Sequence, residues 1–415
     1  GTLRVPGDKS ISHRALMLGA LGDGASRITG ILESDDVRST AAVLRALGAH
    51  IPPLGPDVTV EGVGLRGLRA RTELLDCGNS GTTTRLMAGI VAGLPISATF
   101  IGDASLSRRP MRRVAKPLEA MGARVELPPH GGLPMVVHGG ALSDIDWHSE
   151  VASAQVKSAI LLAGLVGGVR VTVEEPAPTR DHTERMLGAR GVDVVRRGTV
   201  VELAPAHGCI TALDTLVPGD PSSAAFFAGL AALANEGSLS LTDVCVNETR
   251  TGFLETLRRM GATVEFARDH MSGGEWISPV LVRPGALRGV QVGKEIVPSM
   301  IDELPLLACL ATRAEGETVI TGAAELRVKE SDRIAAVVAN LRAIGAQASE
   351  LDDGMRIVGS RAPLRGSIET YGDHRLAMSF GVLGALPGNN VAIDDRDCVA
   401  VSYPGFWSDL AKVVQ

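Results

Sequence analysis

The sequence predicts a two-domain α/β protein built from repeated α+β units, and three observations carry that prediction. At 415 residues, the chain exceeds what one hydrophobic core usually organises, so two domains are expected. Its composition, 45% apolar with 21% charged residues, suits a well-buried globular chain and sets disorder aside. A helix-end signal also recurs five times at nearly constant spacing.

That signal is an amphipathic helix ending in a long apolar residue, then a glycine, then a β-prone run. It reads LRALGAHI from Leu44, LEAMGARV from Leu118, LGARGVDV from Leu187, LRRMGATV from Leu257 and LRAIGAQA from Leu341. A glycine that can turn left-handed stops the helix and reverses the chain into a strand. The spacings from Gly48 through Gly122, Gly191 and Gly261 to Gly345 are 74, 69, 70 and 84 residues, too long for a solenoid repeat. Cap chemistry alone generates part of this pattern. A sixth helix, Phe406 to Val414, closes the series, so six units divide into two domains of three. The apolar runs near Ala159 to Val169 and Ala224 to Ala234 contain glycine and are too short to span a bilayer, and they predict buried helices.

Charge and cysteine usage narrow the function. A net charge of -6 with 3% aromatics argues against a nucleic-acid partner. The five cysteines are odd in number and lack a CxxC pair, so neither zinc nor a disulfide framework is expected. With no signal-peptide pattern and no apolar run long enough to cross a bilayer, the chain is expected in the cytoplasm and without a membrane; a monomer is expected, with no feature of the sequence deciding it. Lysine occurs only six times against 35 arginines, which draws attention to the places that keep it.

Polar clusters follow in chain order. PGDKSISHR, Pro6 to Arg14, sits between a strand at Thr2 to Val5 and a helix beginning near Ile11. It offers Lys9, Ser10, backbone N–H groups and Arg14, one turn further on, to a single anion. The GxxxxGK spacing of a P-loop is absent. DCGNSGTTTR, Asp76 to Arg85, lets backbone approach a carboxylate or phosphate at Gly78 and Gly81, with Asn79, Ser80 and Thr82 as donors. DASLSRRPMRR, Asp103 to Arg113, gathers four arginines around a proline, and SAQVK, Ser153 to Lys157, opens an apolar helix. In the second half, IDELP places Asp302 and Glu303 before an apolar helix. RVKESDR sets Lys329 and Arg333 at i and i+4 on one helix face, and YGDHR presents Asp373, His374 and Arg375. Each cluster alone also reads as a solvated salt-bridge network or an ordinary helix cap.

The segments PGDKSISHR, GNSGTT, SRRPM, SAQVKSAILLAGL, IDELP, RVKESDR and YGDHRLAMSF occur in the order seen in the enolpyruvyl transferase family. The chain resembles that family from about Leu3 to Phe406. The resemblance implies a two-domain inside-out α/β barrel, each domain with three βαβαββ units around buried parallel helices. By the same resemblance, residues 8–218 are expected to form one domain, and 1–7 with 219–415 the other. The resemblance further implies crossovers near Gly7 and near Val217 to Gly219 and an active site in the interdomain cleft.

The wording is most similar to the branch that accepts shikimate 3-phosphate. It implies transfer of the enolpyruvyl group of phosphoenolpyruvate to the acceptor's 5-hydroxyl, with release of phosphate from a tetrahedral intermediate, on the route to chorismate and the aromatic amino acids. No metal or organic cofactor is implied. By resemblance, Lys9, Ser10, Arg14, Ser153, Ala154, Gln155, Arg180, Asp302 and Lys329 hold shikimate 3-phosphate. Lys9, Asn79, Gly81, Arg109, Gln155, Arg333, His374 and Arg375 hold phosphoenolpyruvate. Asp302 is implied as the base on the hydroxyl, Glu330 as the acid at the methylene carbon, and Lys9 as the group assisting phosphate departure.

The chain departs from the best-known branch at Pro176 and Thr179, at Glu325 and at Val401, where that branch carries serine and tyrosine, asparagine and lysine. The first and last departures resemble a second branch, in which Arg180 takes over substrate contact. Gly81 implies sensitivity to glyphosate, whereas the second-branch features imply the opposite. The sister enzymes that use UDP-N-acetylglucosamine carry a cysteine in the arginine loop and an asparagine after the lysine. Here the loop lacks cysteine and Ser10 follows Lys9. A noncatalytic anion binder would avoid carboxylates such as Asp302 and Glu330 beside its ligand.

Overall fold

The computed structural model describes residues 1–70, 74–206 and 208–414. Its contacts group into two compact units. One comprises Gly7–Val217 with Met271–Glu275, and the other comprises Gly1–Pro6, Pro218–His270 and Trp276–Gln415. The short return segment Met271–Glu275 groups with the first unit, a detail the family resemblance did not suggest. Within that unit the backbone N–H of Leu216 donates to Ser272 Oγ at 2.9 Å, and His182 Nδ1 lies 2.7 Å from Glu275 Oε1 with both side chains buried.

The first unit contains helices α1 (Lys9–Leu21), α2 (Asp35–Ala46), α3 (Gly81–Ala92), α4 (Ala104–Arg108), α5 (Arg112–Met121), α6 (Ala154–Gly167) and α7 (His182–Gly188). One sheet runs Leu74–Asp76, Ser97–Ile101, Met135–His138, Arg124–Glu126, with a parallel first pair and antiparallel neighbours after it. A second sheet, Ile145–His148, Val171–Glu174, Val200–Leu203, Val194–Arg197, repeats that order. A third joins Thr215–Leu216, Ala25–Thr29 and Asp57–Glu61 in the same sense. Parallel pairing needs a crossover helix and antiparallel pairing only a hairpin, so the βαβαββ order is written into the sheets.

Helices α1, α3 and α6 are buried on nearly every face, which marks core helices rather than surface ones. A methyl group on Gly89 of α3 would stand 2.2 Å from the Ala159 carbonyl oxygen of α6, so only glycine permits this approach.

The second unit holds α8 (Pro221–Ala232), α9 (Gly252–Met260), α10 (Leu304–Ala311), α11 (Arg333–Ala343), α12 (His374–Gly384) and α13 (Phe406–Val414). All twelve residues of α8 and all eight of α10 are buried. The sheet Gln291–Val292, Glu317–Ile320, Gly354–Val358, Gln347–Leu351 shows the same parallel-then-antiparallel order. Phe226, Phe227, Tyr403, Phe406 and Trp407 stack at ring distances of 4.9 to 6.0 Å and dock α13 on the core.

All five helix-ending glycines, Gly48, Gly122, Gly191, Gly261 and Gly345, have left-handed φ between 81° and 114°. Two boundaries differ from the sequence expectation. Helix α1 begins at Lys9, because Asp8 caps it by accepting from the Ile11 N–H at 2.8 Å. The pair Lys329 and Arg333 does not share a helix face, because Asp332 caps α11 and the chain before it forms the 3-10 turn Ala324–Val328.

Candidate active site

Most of the predicted site residues stand at the starts of the buried helices, where unsatisfied N–H groups and the helix dipole favour anions. In the first unit, Lys9 and Ser10 form the first turn of α1. Lys9 Nζ pairs with Asp36 Oδ2 at 3.0 Å. Arg14 is buried, and its Nε, Nη1 and Nη2 donate to Thr183 Oγ1, Ser10 O and Ser158 Oγ at 2.7, 2.9 and 2.8 Å. Burial lowers its pKa to about 10 against the opposing field of Glu184, so it remains a cation at neutral pH.

Ser80 caps α3 by accepting from the Thr83 N–H at 3.1 Å. Gly81 opens the helix, and a methyl group there would lie 2.9 Å from Arg85 Nη1 and 3.5 Å from Arg109 Nη1. Asn79 Oδ1 accepts from Arg109 Nη2 at 2.5 Å while its Nδ2 donates to Asp103 Oδ2 at 2.6 Å. Of the four arginines in that segment only Arg109 is buried. Ser153 caps α6, Ala154 is its first residue, and the next residue, Gln155, accepts from Arg85 and donates to Thr82 Oγ1 at 2.9 Å. Arg180 is half-buried in the segment before α7, and its charge acts on Arg14. The structure thus links Asn79, Gly81, Arg109 and Gln155 into one cluster, with Lys9, Ser10 and Arg14 on α1.

In the second unit one guanidinium organises the acids. Arg333 donates through Nη1 to Asp302 Oδ1 at 3.3 Å, through Nη2 to Glu330 Oε2 at 2.7 Å, and through Nε to Asp373 Oδ2 at 2.8 Å. Burial acts to lower the pKa of Arg333, but Asp373 and Glu330 outweigh it and the net shift is upward. Burial likewise acts to raise the pKa of Asp373, and Arg333 holds it below the ordinary value. Lys329 Nζ lies 3.6 Å from the same Asp302 oxygen. Arg375 donates to the Asp302 carbonyl at 3.2 Å and pairs with Glu303 at 3.6 Å. His374 is buried at the start of α12.

Sequence reasoning missed Asp36, Arg85, Thr183, Ser158 and Glu303 as partners of site groups. All except Thr183 fell inside or beside a flagged segment or were charged, but their partners lie far along the chain. Of the departures, Thr179 donates its hydroxyl to buried Glu175, while Glu325 and Val401 lie in the 3-10 turns Ala324–Val328 and Asp397–Val401. Among the described residues, no group of three or more His, Cys, Asp or Glu is placed to hold a metal, and no helix is long and apolar enough to cross a membrane.

Repeated βαβαββ sheets around buried helices, with cations and acids at the helix starts, define the class as an enolpyruvyl transferase fold. A solved enolpyruvyl transferase, NikO from Streptomyces tendae, shares that fold with a TM-score of 0.78 at 18% identity, covering 100% of this chain and 94% of that one. The profile of EPSP synthase (3-phosphoshikimate 1-carboxyvinyltransferase) matches residues 1–410. Relatives named 3-phosphoshikimate 1-carboxyvinyltransferase from Sulfurihydrogenibium sp. and Halorhodospira halophila are 48% and 51% identical, covering all of this chain and 97% and 93% of theirs. EPSP synthase from Acinetobacter baumannii superposes with a TM-score of 0.86 at 42% identity, covering 99% of this chain and 95% of that one. The chain belongs to the EPSP synthase family, enzymes that transfer the enolpyruvyl group of phosphoenolpyruvate to shikimate 3-phosphate.

Proposed function

We propose that the residue sets of both units act on one pair of substrates, phosphoenolpyruvate and shikimate 3-phosphate, in a cytoplasmic monomer. The observation that carries this reading is Arg333, whose single guanidinium holds Asp302 and Glu330 at 3.3 and 2.7 Å. Two carboxylates fixed relative to each other among cations suit an acid and a base that work in sequence. An anion binder without chemistry gains nothing from them.

Both substrates are polyanions, and bringing them together requires compensating charge and fixed orientation. Lys9, Ser10, Arg14, Ser153, Ala154, Gln155, Arg180, Asp302 and Lys329 hold shikimate 3-phosphate in this reading. Lys9, Asn79, Gly81, Arg109, Gln155, Arg333, His374 and Arg375 hold phosphoenolpyruvate. Asp302 takes the proton of the 5-hydroxyl. Glu330 delivers a proton to the methylene carbon, so that C2 becomes electron-poor and is attacked by the hydroxyl oxygen. Phosphate then leaves the tetrahedral intermediate with Lys9 Nζ beside the developing charge, and the methyl carbon gives a proton back to the Glu330 carboxylate, which restores the double bond of the enolpyruvyl product. The five cysteines are all free thiols, which fits a reducing compartment.

Asp302→Asn and Glu330→Gln keep shape and hydrogen bonding but remove the proton transfer. Each should lower kcat on the order of a hundredfold to ten-thousandfold, with the Kd for shikimate 3-phosphate changed far less. Near-normal turnover of both folded variants would sink the assignment.

A further inference from the structure

Two buried site arginines, one in each unit, are held in opposite ways. Arg333 is surrounded by carboxylates, from Asp302, Glu330 and Asp373. Arg14, equally buried, has none: among the described residues its hydrogen bonds go to two hydroxyls and one backbone carbonyl. Thr183 Oγ1 and Ser158 Oγ, which receive Nε and Nη2, also bond each other at 2.7 Å and are themselves buried. A guanidinium carries five N–H donors, so two remain for a ligand.

A carboxylate in place of these hydroxyls would orient Arg14 as well, but it would also neutralise it and compete with an anionic substrate. Hydroxyls orient without neutralising. The negative charge that balances the buried Arg14 stands one residue past Thr183 on α7, at Glu184. Lys157 Nζ, fully buried next to Ser158, lies 2.8 Å from both Glu175 and Glu184, and Glu184 follows Thr183. Two carboxylates around one ammonium leave an excess negative charge, which favours an ionised Arg14 from a distance.

We propose that Thr183 and Ser158 are positioning residues for the acceptor substrate, clamping the Arg14 guanidinium between α6 and α7 through neutral groups so that its charge is left to an anionic group of shikimate 3-phosphate. The inference rests on the reading that Arg14 holds that substrate. Its test is steady-state kinetics on the full chain with each substrate varied in turn. Thr183→Val and Ser158→Ala should each raise the KM for shikimate 3-phosphate about tenfold, as expected for losing a hydrogen bond to a charged group. The KM for phosphoenolpyruvate should stay within about twofold, and Thr183→Ser should restore the acceptor KM. Equal rises in both KM values would show a merely structural role and overturn the proposal. An unchanged acceptor KM in both variants, while Arg14→Ala raises it, would overturn the inference and leave the reading of Arg14 standing. An Arg14→Ala enzyme with normal acceptor KM would overturn that reading and the inference with it.

Discussion

At the scale of single residues, Arg333 and Asp373 are the most exacting pair. Both are buried, and Arg333 donates two hydrogen bonds to the Asp373 carboxylate, at 2.8 and 3.1 Å. Removing one partner leaves an uncompensated buried charge, so Asp373→Ala should destabilise the fold by about 3–5 kcal/mol in denaturant titration. A loss below about 1 kcal/mol would mean that water reaches the pair. Gly81 makes a different prediction. A methyl group there meets Arg85 and Arg109, side-chain ends that can shift for a small ligand more readily than for a larger one. We therefore propose measurable inhibition by glyphosate, with Gly81→Ala raising its inhibition constant more than the KM for phosphoenolpyruvate. Equal changes would remove the steric argument.

At the scale of elements, three helices of the first unit are tied by a buried chain of polar groups. His13 of α1 lies 2.6 Å from Thr40 Oγ1 of α2, which lies 2.7 Å from Thr83 Oγ1 of α3, which donates to the capping Ser80 Oγ at 2.7 Å. Burial, then the charges of Lys9 and Arg14, push the His13 pKa well below the ordinary 6.5. The unfolded chain therefore binds a proton below pH 6.5 that the folded chain refuses, and stability falls as pH drops through that value. His13→Gln should flatten the acid limb of the stability curve by up to about 1.4 kcal/mol per pH unit. An unchanged slope would show that His13 titrates normally.

The same elements show what was legible in the sequence. Gly48, Gly122, Gly191, Gly261 and Gly345 were readable as helix ends because a left-handed cap is decided by residues within one turn. Lys9, Gly81 and Asp302 were readable because helix starts carry local cap chemistry. Arg14 and Thr183 are 169 positions apart, and Arg85 and Gln155 are 70 apart; no local rule links such pairs. The misplaced face for Lys329 and Arg333 has a local cause, the Asp332 cap, which spacing alone outweighed.

At the scale of the whole molecule, each unit carries its own set of cations and acids, and the proposed reaction needs both. Shikimate 3-phosphate, by neutralising cations of both units, should therefore reduce the radius of gyration in X-ray scattering. No compaction at saturating substrate would count against joint action. The central claim is the choice of acceptor, and phosphate release measures it directly. With phosphoenolpyruvate present, the purified chain should release phosphate in step with added shikimate 3-phosphate and release none with UDP-N-acetylglucosamine. Release with the nucleotide sugar, or none with shikimate 3-phosphate, would contradict the account.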